Sequence, residues 1–221
     1  WPSSRRSRLS PSVDSTGRRS LCQSCRALGP WGTNAYVLVC PVTSESVLID
    51  PAGEPETLLS MLGDSKPVAI LLTHGHPDHV GALEEMRAAL RVPVMAYPGG
   101  SWVEADRWLE DRALVAVGEH SLRVYHTPGH SEDQVCYAIE GENRVIVGDT
   151  IFEGGPGHTF SPRGFQVTVQ TLNNVILAWP DETVCYPGHG PSFLLGDKRQ
   201  AIEAFLAKEH GDFFGDATWE I

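Results

Sequence analysis

Thr73-His74-Gly75-His76-Pro77-Asp78-His79-Val80-Gly81 is the stretch on which the reading of the chain turns. Three histidines and an aspartate fall within six residues. The run before them, Val68-Ala69-Ile70-Leu71-Leu72 after Pro67, is short and aliphatic and predicts a buried strand. Beyond them Leu83, Met86, Ala89 and Leu90 recur at helical spacing, which predicts a helix over 79–90 that starts near Asp78. The polar residues therefore sit on the turn at the carboxyl end of a strand, where α/β folds place their ligands. In an extended chain, residues two apart share a face, so His74 and His76 can grip one ion from one side. Asp78 and His79, beyond the turn at Pro77, point elsewhere and can hold a second. Imidazole nitrogen with carboxylate oxygen suits zinc or another first-row divalent metal. One histidine here would read as a polar helix cap; three with an acid read as a metal site.

The 221 residues suffice for one large domain. No apolar run approaches the roughly 18 residues of a membrane span, and none follows the early arginines as a secretory signal would require. The net charge of −11 conceals an asymmetry, because residues 1–26 hold six arginines against Asp14. Residues 1–30, basic and serine-rich, are expected to be a disordered or non-native leader, with one ordered domain over 31–221. The acidic body argues against a nucleic-acid partner; the expected partner is a small-molecule substrate. Five cysteines imply no disulfide framework and a reducing, cytoplasmic setting. Cys22 and Cys25 form a CxxC with no second pair at zinc-ribbon spacing, whereas Cys40, Cys136 and Cys185 lie in apolar runs as small core residues. The oligomeric state is left open.

Outward from the histidine turn, two strands at 34–40 and 46–50 predict a hairpin ending in Asp50. A helix over 54–62 is closed by Gly63, a strand covers 94–96, and a helix over 101–109 puts Trp102 and Trp108 on one packing face. The second half carries strands at 121–126, 135–140 and 144–148, a helix at 166–178, a strand at 183–186 and a helix at 197–208. Each half is strands followed by helices, which predicts an α/β chain folded as a four-layer αβ/βα sandwich. Three strand ends of the second half deliver His130, Asp149 and His189, each beside a glycine that lets the backbone turn tightly.

Taken with the histidine turn, the motifs Thr127-Pro128-Gly129-His130, Gly148-Asp149-Thr150 and Pro187-Gly188-His189-Gly190 resemble the metallo-β-lactamase superfamily. Within it they are most similar to the short form of the glyoxalase II (hydroxyacylglutathione hydrolase) branch, over about residues 31 to 206. The resemblance implies the metallo-β-lactamase fold and two divalent ions, zinc being expected and iron or manganese the alternatives. It places His74, His76 and His130 on the first ion, Asp78, His79 and His189 on the second, and Asp149 between them. Asp78 and Asp149 are then the catalytic carboxylates, and Asp50 orients a ligand histidine by accepting its other N–H. Such a pair of ions makes hydroxide available near neutral pH to attack the carbonyl of a thioester or ester.

The chain departs from that branch in two places. After His189 there is room for one helix and an acidic tail, not for the helical domain of full-length glyoxalase II. Where short members carry Gly-Arg-Thr/Ser-Asp, this chain reads Gly157-His158-Thr159-Phe160, so His158 replaces an arginine. His158, Arg163 and Tyr186 are the candidate substrate contacts, and loops 99–112 and 152–166 the expected pocket walls. His120, His126 and His210 lack partners in the pattern and are read as surface or strand residues. Two other readings use the same residues: a lactonase or β-lactam hydrolase with the same centre, and a persulfide dioxygenase with one iron on His74 or His76, His130 and Asp149.

Overall fold

A computed structural model describes residue 17 and residues 19–100 and 103–221 of the chain. Its strands form two six-stranded sheets. In the first, β1 (Cys22–Leu28), β2 (Thr33–Val39) and β3 (Glu45–Ile49) run antiparallel. β4 (Lys66–Leu71), β5 (Val94–Ala96) and β6 (Arg107–Trp108) then add in parallel. The second sheet begins with the hairpin β7 (Leu114–Val117) and β8 (His120–His126), followed by β9 (Val135–Ile139) and β10 (Arg144–Gly148). β11 (Val184–Pro187) lies parallel to β10, and β12 (Phe193–Leu194) closes the far edge. In each sheet the strands lie in sequence order from one edge to the other.

Alternation along the strands builds three cores. In β2, Tyr36 and Leu38 face the space between the sheets, while Ala35 and Val37 face outward. In β10, Ile146 faces inward while Val145 and Val147 face the opposite way. Both faces are apolar because both are covered. Helices α1 (Pro55–Leu62) and α2 (Leu83–Leu90) cover the first sheet, contributing Leu58, Leu62, Leu83 and Met86 to its outer core. Helices α3 (Pro162–Asn174) and α4 (Leu195–Leu206) cover the second with Phe165, Leu172, Ile202 and Phe205. The expected four-layer αβ/βα sandwich is the observed architecture, and each fully buried Leu, Ile or Phe contributes on the order of 1.5–3 kcal/mol to it.

Several boundaries differ from the expected ones for local reasons. The ordered chain starts before Trp31: β1 lies within the segment expected to be a leader and pairs along its whole length with β2. Residues 1–16 and 18 lie outside the described part. On β1, Cys22 and Cys25 are three apart and so project to opposite faces, which prevents them from closing on one ion. Cys22 is exposed, Cys25 packs on the inter-sheet core, and both thiols are free. The helix expected from Asp78 begins at Leu83, because 77–82 form turns tied to the neighbouring loop through Ala82 N–H donating to Pro51 O at 2.8 Å. A Cβ on Gly81 would lie 2.4 Å from Ala52 O, so that turn needs glycine.

α3 starts at Pro162 rather than 166, since Ser161 caps it by accepting from Gly164 N–H at 3.1 Å. It ends at Asn174, and a short 3₁₀ turn carries the chain to Ala178. The helix expected over 101–109 is absent over 103–109: Arg107 and Trp108 pair with β5 instead. Trp108 is exposed beside β5 and β7, and Trp102 lies outside the described residues.

Candidate metal centre

Six segments meet at one end of the two sheets. β4 leads into Thr73–His79, β8 into His130, β10 into Asp149, β11 into His189 and β3 into Asp50, while the start of β2 lies against the His189 turn. Asn34 donates from N to Gly188 O at 2.7 Å and from Nδ2 to Pro187 O and Gly190 O at 2.9 Å each; Tyr36 Oη donates to Pro187 O at 2.6 Å. These bonds pin the turn of the second sheet onto a strand of the first.

The seven residues expected to hold metal converge in three overlapping groups: His74 with His76 and His130; His74 with His79 and Asp149; and Asp78 with His79 and His189. Within each group the ligand atoms lie within 4.8 Å of one another. His76 Nδ1 stands 3.0 Å from His74 Nε2 and 2.9 Å from His130 Nε2. Asp149 spans the two ends, with Oδ1 3.3 Å from His79 Nε2 and Oδ2 3.6 Å from His130 Nε2 and 3.5 Å from His189 Nε2. His189 Nε2 is also 3.2 Å from Asp78 Oδ2.

The far nitrogens set the tautomers. Asp50, 1% exposed, accepts from Thr73 N–H and Oγ1 at 2.7 Å each and from His79 Nδ1 at 2.9 Å. The Thr73 hydroxyl spends its proton on Asp50, so at 3.1 Å it accepts from His74 Nδ1–H. His130 Nδ1–H donates to His158 O at 2.8 Å. His74, His79 and His130 therefore each turn Nε2 toward the common centre. Burial, with the neighbouring rings, pushes His74 well below its ordinary pKa, and burial likewise lowers His76 and His130. For His79 burial also works downward, but Asp50 and Asp149 outweigh it and lift the ring to about 10. Burial works to raise Asp78, yet hydrogen bonds from His189 and Thr33 and the charge of His79 bring it below the usual carboxylate range.

Among the described residues, His79 Nε2 and Asp149 Oδ1 are buried without a hydrogen-bond partner. Orphaned polar atoms at this depth are costly unless something occupies the point they face. A divalent cation fits the donor set, since buried imidazole nitrogens and carboxylate oxygens converge on one centre.

Beside the centre opens a cavity of about 830 Å³, with His130, Asp149 and His189 at its floor and His158 on its wall. The expected wall 152–166 contributes Phe152 to Pro156 and His158 to it, whereas no described residue of 99–112 lines it. Arg163 opens instead on a separate cavity of about 220 Å³ on the other side of His130. Tyr186 does not line the large cavity: it packs against the inter-sheet core, its ring 6.2 Å from that of Tyr36, because its strand position faces inward. His120, His126 and His210 bond to backbone carbonyls of Arg19, Glu132 and Phe205, away from the centre. Thr33, whose Oγ1 donates to Asp78 Oδ2 at 2.9 Å, and Asp133, whose Oδ2 accepts from Gly75 N–H at 2.9 Å, were not foreseen. Neither carries a motif of its own.

Two sheets sandwiched between helices, with a histidine and aspartate cluster at one end, define a metal-dependent hydrolase. The chain belongs to the metallo-beta-lactamase superfamily, whose family model matches residues 28–189. It is 32% identical over 187 residues to a probable metallo-hydrolase of Bacillus subtilis, covering 74% of this chain and 88% of that one. It is 33% identical over 170 residues to a probable hydroxyacylglutathione hydrolase of Schizosaccharomyces pombe, covering 73% of this chain but 65% of the relative. A protein solved in a di-iron-bound form, 31% identical, superposes with a TM-score of 0.69 over 80% of this chain and 97% of that one. The fold and a divalent-metal site are those of the superfamily.

Proposed function

We propose that the chain hydrolyses the acyl bond of a small thioester or ester, in the manner of a hydroxyacylglutathione hydrolase. His74, His76 and His130 would hold one divalent ion, Asp78, His79 and His189 a second, and Asp149 both. Ions bound there would supply hydroxide near neutral pH for attack on the carbonyl. The protein's own part is positional. Asp50 and Thr73 hold the rings of His79 and His74 in the tautomers that present Nε2, and the carbonyl of His158 does the same for His130. Thr33 holds one Asp78 oxygen, and the 830 Å³ cavity gives a small acyl compound access to the centre from one side.

The observation that carries this reading is the convergence of seven ligand-competent residues on one buried centre, where His79 Nε2 and Asp149 Oδ1 stand 3.3 Å apart without a well-formed hydrogen bond. A single-iron dioxygenase would use three of the seven and leave Asp78, His79, His189 and one of His74 and His76 without a task. Zinc is the expected metal by donor chemistry, and the di-iron relative makes iron the alternative. The test is metal analysis of protein purified without added metal, joined to hydrolysis of two lactoyl thioesters, S-lactoylglutathione and the uncharged S-lactoyl-N-acetylcysteamine. Two ions per chain with turnover lost in Asp149→Ala supports the proposal. One iron per chain with oxygen uptake on a persulfide overturns it, and two ions that turn over only lactones or β-lactams move it to those bonds.

A further inference from the structure

We propose that the segment 215–219 is the specificity wall of the metal cavity. Through Asp216, joined by Glu153, it selects substrates whose leaving portion carries no net negative charge. This rests on the hydrolase reading above and names its substrate class.

The segment is built into the site. Gly215 and Thr159 exchange backbone hydrogen bonds at 2.9 and 3.1 Å, Trp219 N–H donates to Gly154 O at 3.1 Å, and Trp219 Nε1 donates to Glu153 O at 3.0 Å. Trp219 and Ala217 are buried, and Trp219 meets Phe205 of α4 edge-on at 5.7 Å. A Cβ on Gly155 would lie 2.1 Å from Ala217 O, so loop and segment lie flat against each other. This stretch is therefore a wall of the cavity and not a trailing end.

The wall brings charge with it. Asp216 Oδ1 lies 2.9 Å from His158 Nδ1, on a side chain that is 92% exposed. His158 is the residue whose carbonyl holds His130, so the wall and the centre are joined through one residue. Glu153 lies beside it, half exposed, with Lys198 at 3.3 Å behind; Lys198 is not among the lining. The remaining wall includes Trp31, Phe152 and Pro156, and among the described residues no lysine or arginine lines the cavity. A carboxylate-bearing leaving group would enter past two exposed carboxylates at the mouth of the cavity, where like charges repel and salt screens the repulsion. An uncharged thiol or alcohol would instead bury its apolar part against Trp31 and Phe152. Arg163, the cation that could offset an anion, faces the other cavity.

A metal centre attracts any anion, so the wall is read from a matched pair of ligands. Calorimetry on the metal-loaded protein would compare S-hexylglutathione with S-hexyl-N-acetylcysteamine, two thioethers that share an apolar tail and cannot be hydrolysed. The uncharged ligand should bind at least about tenfold tighter. Added salt should tighten the glutathione ligand and leave the other unchanged. In E153Q/D216N, both side chains being exposed enough to tolerate the change, the gap should shrink to about threefold or less. Equal or tighter binding of the glutathione ligand, an unchanged gap in the double variant, or failure of both ligands to bind overturns the inference. Turnover is not the readout. If neither lactoyl thioester is hydrolysed while the uncharged ligand binds tighter, the substrate class stands and the thioesterase reading falls; the converse result separates them the other way.

Discussion

Replacing Asp50 tests whether one buried carboxylate governs both the stability of the site and its tautomers. Asp50 accepts three hydrogen bonds, two from Thr73 and one from His79. In Asp50→Ala three buried donors lose their acceptor, each costing about 1–3 kcal/mol before relaxation. His79, lifted to about 10, also loses the carboxylate that most raises its pKa, and breaking a buried pair costs about 3–5 kcal/mol. These costs overlap, because the His79 bond is one of the three. Alanine must further adopt the φ of +52° that Asp50 takes at the end of β3, a region aspartate tolerates better. The expected loss is about 3–5 kcal/mol in metal-free protein, a large share of the about 5–15 kcal/mol by which domains are stable.

Asparagine separates the two roles. Its oxygen can still accept from Thr73, but its amide hydrogens face His79 Nδ1. The ring must then accept at Nδ1 and carry its proton on Nε2, the atom that faces Asp78 and Asp149. Asp50→Asn should therefore keep much of the stability yet retain one ion per chain where the parent retains two. Urea unfolding of chelator-treated protein gives the first number and metal analysis the second. An alanine variant within about 1 kcal/mol of the parent, or an asparagine variant with two ions and full turnover, would refute the reasoning.

Three further outcomes are expected. Gly188→Ala places a Cβ 2.1 Å from Asp149 Oδ1 and 2.6 Å from His79 Cε1, so it should abolish metal retention and turnover. Gly190→Ala, at φ +74° with open space around it, should cost roughly 1 kcal/mol of strain and leave metal content intact; equal metal loss in both would contradict this. Tyr137→Phe leaves the buried Leu72 carbonyl without its 2.6 Å partner and should lower unfolding stability by about 1–3 kcal/mol without changing metal content. Burial raises the phenol pKa of both Tyr36 and Tyr137 above the ordinary 10.0. Above that pH the unfolded chain loses protons that the folded chain keeps, so stability should fall by up to about 1.4 kcal/mol per pH unit per tyrosine. Burial also raises the thiols of Cys25, Cys136 and Cys185, which add to the same fall, so Tyr137→Phe should remove at most about 1.4 kcal/mol per pH unit of it above about pH 10; an unchanged slope there would exclude the mechanism.

What could be read ahead of the structure, and what could not, follows from how each feature is encoded. The candidate metal ligands are legible because their chemistry is dense and local: His74, His76, Asp78 and His79 lie in one turn, and His130, Asp149 and His189 each stand beside a glycine at the end of a strand. Four strands escape a sequence reading for different reasons. β6 and β12 are two residues long, too short for any period. β7 is apolar throughout although only Val115 and Val117 are buried, so it shows no polar alternation. β1 mixes Arg26, Gln23 and Ser24 among its apolar residues because it is an edge strand.

The cavity wall is the hardest part to foresee. Trp31 lies on the turn between β1 and β2, Phe152 and Glu153 follow β10, and Asp216 and Ala217 come after the last helix, so the wall exists only once the chain has closed on itself. None of these residue types is diagnostic alone, and an acidic tail reads as a solvated surface. The asymmetry has a physical origin. A metal ion demands particular donor atoms within a few ångströms, which confines its ligands to recognisable turns, whereas an uncharged acyl compound asks only for apolar area and the absence of an opposing charge. Many sequences can meet that weaker demand. The missing arginine at His158 was legible as an absence; the carboxylate of Asp216 that now faces the same ring was not, because 58 residues separate the two.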